Sequence, residues 1–209
     1  MEKFQNIRIQ LRGENLQKKE YEDVINLIKH ENSSAILSAL DENTIIEFLK
    51  ISIFSKNIFF YTCSLKNKII GYAILTDKPN EFVSEFNRIK FLIIKNLIKK
   101  LRIKIIINLF FSFSKFDLIF ISKKNKKIIE KSLNLNMLAI KDEFQSKGIG
   151  TYFLKNIIEL LNKSKKFNTL SVESFDQRAI NFYIKNFNFI LVGKKIRFFK
   201  NLSVMFKNL

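Results

Sequence analysis

Leu138-Ala139-Ile140-Lys141-Asp142-Glu143-Phe144-Gln145-Ser146-Lys147-Gly148-Ile149-Gly150-Thr151 is the stretch on which the reading of this chain turns. An apolar strand passes through a short polar turn into Gln-x-x-Gly-x-Gly. An amphipathic helix follows at once, running to about Ser164, with Ile149, Phe153, Ile157, Leu160 and Leu161 toward the core. That order sets a row of backbone N–H groups, in a loop with little side-chain bulk, at the positive end of a helix dipole. The result is an anion cradle. Two phosphate motifs fit it badly. A Walker A loop ends in Gly-Lys-Ser/Thr, whereas Lys147 precedes the glycines. A dinucleotide fingerprint needs a third glycine where this chain has Phe153, and belongs to the first strand of its unit.

Working outward, Ser132–Ile140 alternates as a strand, Thr169–Ser174 reads as the next strand and Asp176–Asn186 as a helix. Ile190–Phe199 and Ser203–Lys207 form a final antiparallel pair. Upstream, Ile7–Leu11 alternates apolar and polar, and Tyr21, Val24, Ile25 and Ile28 recur at helical spacing. Ser33 or Ser34 can cap a helix through Leu40, and Thr44-x-x-Glu47 reads as a capping box opening another through Leu49. Asn57–Leu65 and Lys68–Thr76, joined by Lys66-Asn67, read as a hairpin, and Asp77-Lys78-Pro79-Asn80 breaks the chain. From Phe82 to about Glu130 the character changes. Phe82, Phe86, Ile89, Ile93, Leu97 and Leu101 share one helical face, Ile103–Ile121 continues apolar, and Ser122–Lys127 reads as a basic loop. Residues 81–130 are therefore expected to be a helical insertion of two or more helices within a single domain spanning 1–209.

Taken together, Gln145-x-x-Gly148-x-Gly150 behind a strand, then the strand Leu170-Ser171-Val172 with Asp176, Ala179 and Phe182-Tyr183 behind it, resembles the GNAT superfamily of acyl-CoA N-acyltransferases. The likeness covers about a third of the chain, Leu133–Gly193. It implies an α/β (α+β) fold with a central mixed, mostly antiparallel splayed sheet flanked by helices, here with the insertion between the third and fourth strands. It implies that Gln145, Ser146, Lys147, Gly148, Ile149, Gly150 and Thr151 hold the diphosphate of acetyl-CoA, used as co-substrate without a metal. Leu138, Ala139 and Ile140 would present free strand amides to the pantetheine where the sheet parts, at a bulge, and Asp176, Ala179 and Phe182 would line the same cofactor site. Tyr183 is the implied general acid and Glu173 the candidate base. The chain departs from the family at two points. Asp176 stands for the usual Asn, which trades an amide for a helix cap, and Asn188 replaces a customary glycine after a turn one residue longer.

Composition bounds the rest. One cysteine, Cys63, rules out an internal disulfide or a cysteine-based zinc site, and the lone His30 leaves no spare partner for a histidine triad. No apolar signal core opens the sequence, so a cytoplasmic setting is expected, with peripheral contact at the inner membrane surface as an open alternative. The formal charge of +18 fits nucleic acid, an anionic membrane or a polyanionic cofactor, but Lys is scattered along the whole chain. The apolar run Phe91–Phe120 is not expected to span a bilayer, because it carries Lys95, Lys99, Lys100, Arg102, Lys104, Lys115 and Asp117. Each such charge costs roughly 2.5–3.5 kcal/mol at mid-bilayer against about 0.3–0.6 gained per Leu, Ile or Phe. The expected activity is transfer of acetyl to a primary amine of a small molecule such as an amino sugar. Alternatives are protein or peptide N-acetylation, or a non-catalytic membrane- or nucleic-acid-binding protein with a vestigial acyl-CoA site. The insertion could give a lid, a homodimer interface or a basic face on anionic lipid through 82–121. Nucleic acid is disfavoured, since no recognised motif accompanies the charge.

Overall fold

Strand β3 (Lys68–Thr76) is apolar on both faces and almost wholly buried, as a strand covered by helices on either side must be. The computed structural model describes residues 4–31, 36–79, 81–82, 84–99, 118–197 and 200–209. Around β3 lies one sheet built from β1 (Ile7–Arg12), β2 (Ile58–Leu65), β4 (Leu118–Ile121), β5 (Leu133–Ile140), β6 (Thr169–Ser174), β7 (Ile190–Arg197) and β8 (Lys200–Asn208), in the order β1-β2-β3-β5-β6-β8-β7-β4. Every neighbouring pair is antiparallel except β5 and β6. The β2–β3 hairpin turns on Lys66 and Asn67, both at positive φ (50° and 61°), the geometry that two-residue hairpins favour.

Two apolar layers cover the sheet. On one face, helices α1 (Lys18–Glu31), α2 (Glu42–Phe54) and α3 (Lys90–Lys99) bury Val24, Ile28, Leu49 and Leu97 against Phe60, Tyr72 and Ile74. On the other, α5 (Ile149–Ser164) and α6 (Gln177–Phe187) bury Phe153, Ile157 and Tyr183 against Cys63, Ala73, Leu135 and Val172. Each fully buried Leu, Ile or Phe contributes about 1.5–3 kcal/mol.

Helix α2 starts one turn before the expected capping box. Asp41 is its N-cap and accepts the Thr44 N–H at 2.8 Å, while Thr44 turns inward and its Oγ1 accepts from Asn96 Nδ2 of α3 at 3.0 Å. Thr44 is taken up by the core and is not free to cap. Of the segment expected as a helix through Leu40, residues 32–35 lie outside the described residues and Ile36–Ala39 is a single 3-10 turn.

The segment expected as a helical insertion is only partly helical among the described residues. A 3-10 turn (Ser84–Ile89) and α3 bury the expected stripe Phe86, Ile89, Ile93 and Leu97, and leave Phe91, Leu92 and Ile98 exposed. Residues 100–117, with Leu101 and most of the apolar run, lie outside the described residues. The end of that run is strand β4, not helix, paired with β7. A Cβ on Gly193 would collide with the Phe120 carbonyl oxygen, so glycine is what lets the two backbones close. Ser122–Lys127, expected as a loop, begins helix α4 (Lys123–Glu130), with Ser122 accepting the Asn125 N–H at 3.3 Å. Among the described residues, no helix is long and apolar enough to cross a membrane.

Candidate active site

The sheet parts where β5 meets β6. The two strands pair in parallel only over Leu133–Leu135 and Leu170–Val172, after which β5 keeps β3 alone as its partner. At the parting, β5 carries a bulge. Ile74 faces Met137 and Leu75 faces Leu135, so Asn136 is the extra residue. Before it, Leu133 and Leu135 belong to the α5–α6 layer; after it, Leu138 and Ile140 do, while Met137 and Ala139 join the α1–α3 layer. Below the fork a buried polar cluster fastens the strands. Ser132 and Ser171 hydroxyls lie 2.5 Å apart, and Asn134 Nδ2 donates to Ser171 Oγ at 3.0 Å. Above it, Leu138, Ala139 and Ile140 pair with Ala73, Tyr72 and Gly71, and their edge toward β6 is open to an added strand.

From Ile140 the chain makes a 3-10 turn (Asp142–Phe144) and enters α5. Ser146 (φ 57°) and Gly148 (φ 82°) take the left-handed conformation, in which Gly148 has no Cβ to strain. The first bond into the helix is Tyr152 N–H to Gly148 O, at 2.9 Å. From Ser146 to Thr151, no backbone N–H finds an acceptor among the described residues, and these donors converge on the helix N-terminus. A Cβ on Gly150 would lie 3.7 Å from Ile140 and 3.9 Å from Phe182, so the cradle is backed by β5 and α6 together. Lys147 is exposed, with its ammonium 5.8 Å from the Phe144 ring centre. These features suit a diphosphate joined to an extended amide chain: donors without acceptors, a glycine-lined turn and an open strand edge beside them.

Helix α6 brings the second group of residues. Asp176 caps it, accepting the Arg178 N–H at 3.0 Å, and Asn188 closes it in the left-handed conformation (φ 57°). Ala179 and Phe182 are half-buried against the core, and Asn186 Nδ2 reaches Thr151 Oγ1 at 3.5 Å, which ties α6 to the first turn of α5. Tyr183 is buried between Phe182 and Phe189, ring centres 5.3 and 5.5 Å away, and its hydroxyl has no hydrogen-bond partner among the described residues. Burial raises its pKa, so the phenol holds its proton.

Glu173 is the first residue of β6 beyond its last rung with β5. Val172 packs in the α5–α6 layer, so alternation turns Glu173 to the opposite face, where it meets Lys195 Nζ at 3.2 Å; both side chains are less than 20% exposed (19% and 15%). Two residues at the site carry no local signal in the sequence. Phe4 stacks on Tyr152 (ring centres 4.7 Å apart) and lies 3.6 Å from a Cβ built on Gly148. Glu31, at the end of α1, bonds Asp142 and Gln145 across more than a hundred residues of chain.

Residues 119–189 match the model of the acetyltransferase (GNAT) family. That stretch of the chain is similar to the GNAT family. No curated protein matches it by sequence. Among solved structures, an acetyltransferase of the GNAT family from Streptococcus pneumoniae superposes with TM-score 0.54 at 16% identity, over 97% of this chain and 99% of that one. A ribosomal-protein alanine N-acetyltransferase from Escherichia coli gives 0.55 at 12% identity (97% and 93% covered). Spermidine N-acetyltransferase from Vibrio cholerae, in complex with CoA and spermine, gives 0.57 at 11% identity (97% and 95%). At these identities the likeness is one of fold. The matched stretch and the shared fold are both like those of GNAT acetyltransferases.

Proposed function

We propose that the chain transfers acetyl from acetyl-CoA directly to a primary amine of a small molecule. The observation that carries this reading is the pairing of an open β5 edge with acceptor-free N–H groups at Gly148–Thr151. Acetyl-CoA would supply the activated thioester. Ser146–Thr151 would bind the diphosphate, Leu138–Ile140 the amide arm, and Phe182 and Ala179 the wall behind it.

Tyr183 gives its proton to the departing thiolate. In water that step runs uphill by about 2 kcal/mol, from a phenol near 10 to a thiol near 8.5. In this layer the comparison changes. Burial raises the Tyr183 phenol, and a thiolate released beside it in the same apolar layer would lose solvation in turn. Acid and acceptor rise together, so burial of Tyr183 does not forbid the transfer. Glu173 at the lip of the fork takes the ammonium proton of the acceptor. Lys195, whose ammonium lies 3.2 Å from the Glu173 carboxylate, must move aside for that. A chain of formal charge +18 repels a polycation and favours an amine that also bears an anionic group, such as a phosphorylated amino sugar.

The test uses thermal unfolding and turnover together. Acetyl-CoA at 100 times its Kd should stabilise the wild type by about 2.7 kcal/mol. Gly148→Asp should abolish that shift, and Tyr183→Phe should keep it while kcat falls about a hundredfold. A wild type indifferent to acetyl-CoA sinks the reading. A Tyr183→Phe variant that loses donor affinity and turnover in equal measure reduces Tyr183 to packing.

A further inference from the structure

Glu31 is oddly placed for a helix-terminal residue. As the last residue of α1 it sets a carboxylate at the negative end of the helix dipole, where an anion is disfavoured. Burial also raises its pKa above the usual carboxylate range, against the pull of the Asp142 N–H. The compensation comes from the donor loop: Glu31 Oε1 accepts the Asp142 N–H at 3.0 Å, and Oε2 accepts from Gln145 Nε2 at 3.1 Å. Asp142 and Gln145 are the two ends of the 3-10 turn that carries the chain from β5 into the cradle, and Gln145 N–H closes that turn on Asp142 O at 3.0 Å. A single carboxylate therefore brackets the turn at both ends. Gln145 Nε2 also donates to Ile140 O at 2.8 Å, so the bracket reaches the tip of β5.

The helix behind this carboxylate is rigidly seated. Asp23, two turns earlier on the same stripe as Leu27 and Glu31, is buried and accepts the Ile69 N–H of β3 at 3.0 Å. Leu27 is buried between them. Eight residues of helix set the two anchors about 12 Å apart, one on the sheet and one on the loop. We propose that Glu31 is a positioning residue for the donor: it holds the Asp142–Gln145 turn so that the N–H groups of Ser146–Thr151 present as one preorganised anion site. This rests on the acetyl-CoA reading above. In its absence the turn keeps its own bond and the Ile140 contact, but the loop gains freedom that donor binding must then remove.

The experiment pairs amide hydrogen exchange on the ligand-free protein with steady-state kinetics, for wild type, Glu31→Gln and Glu31→Ala. Glu31→Gln preserves shape but leaves one oxygen for two donors, so it guards against a variant that fails to fold. Faster exchange at Asp142 in both variants is expected, with the KM for acetyl-CoA raised about threefold in Glu31→Gln and about tenfold in Glu31→Ala. The KM for the amine and kcat should stay within twofold. Unchanged exchange at Asp142 overturns the bracket itself. Faster exchange with an unchanged KM for acetyl-CoA shows a bracket that does not serve the donor, and overturns the proposal. A uniform fall in kcat with thermal stability, and no KM split, shows a merely structural residue. Faster exchange in the variants, together with a wild type that never binds acetyl-CoA, overturns the proposal through the donor reading beneath it and leaves the bracket itself standing.

Discussion

Over Asn134–Leu135, strand β5 has a bonded neighbour on each side; over Met137–Ile140 it has only β3. The lower half is fastened by Ser132, Asn134 and Ser171 in the buried interior, and the upper half presents its amides to whatever enters the fork. The contrast teaches that the open edge is shaped by the closed one. An unfilled strand edge inside a sheet would collapse or slip unless its root were fixed, and three rungs with a satisfied polar cluster provide that root.

The comparison can be broken most severely from the upper half. Gly71 faces Ile140, and a Cβ there would collide with Ile140 Cδ1 and lie 2.9 Å from Ala139 O. Gly71→Val should cost on the order of 3 kcal/mol in urea unfolding, since the obstacle is partly backbone. A variant within 0.5 kcal/mol of wild type would mean that β5 shifts freely and that its upper half is not held in place by β3. From the lower half, Ser171→Ala strands Asn134 Nδ2 in a dry site and leaves Ser132 Oγ with the Ile129 carbonyl alone, which should cost about 1–2 kcal/mol. A neutral substitution would show that those groups find other partners and that the root is apolar packing alone.

The smallest effect is a slope with pH. Burial raises the Cys63 thiol to about 12. Its folded value then exceeds the unfolded one, near 8.5. The stability it contributes is complete below the unfolded value and is lost as pH rises above it, because only the unfolded chain ionises. Between pH 8 and 9.5 the wild type should lose about 1 kcal/mol more than Cys63→Ala. Parallel slopes would show a thiol that ionises as easily in the folded protein. Cys63 Cβ lies 3.5 Å from the Cβ position of Gly71, so the measurement also reports how tightly the ground under the fork is packed.

What could be read from sequence was local. The Lys66-Asn67 turn, the Asp176 cap and the left-handed Asn188 each follow from the conformational tolerance of one or two residues, and the glycine cradle from its spacing before a helix. Where two residues could play one local part, tertiary contact chose. Asp41 and Thr44 both suit a cap, and Asn96 of α3 claimed Thr44 for the interior. Leu118–Ile121 misled because a short apolar run has no period of its own, and only the close approach at Gly193 makes it a strand. The parting of the sheet was expected from the family likeness, yet the residue at which β5 bulges was not, since register belongs to pairs of strands. Glu31 lay furthest from view. Its partners are 111 and 114 residues away, and nothing near it in the chain marks them.

The bulge at Asn136 has a further consequence, for heredity. Because Asn136 is the extra residue, deleting it would restore plain alternation from Leu135 and leave Met137 and Ala139 in one layer and Leu138 and Ile140 in the other, whereas deleting Met137, Leu138 or Ala139 would reverse the face of every later residue of the strand. This strand can lose its bulge residue and keep its layers, but no residue between Asn136 and Ile140.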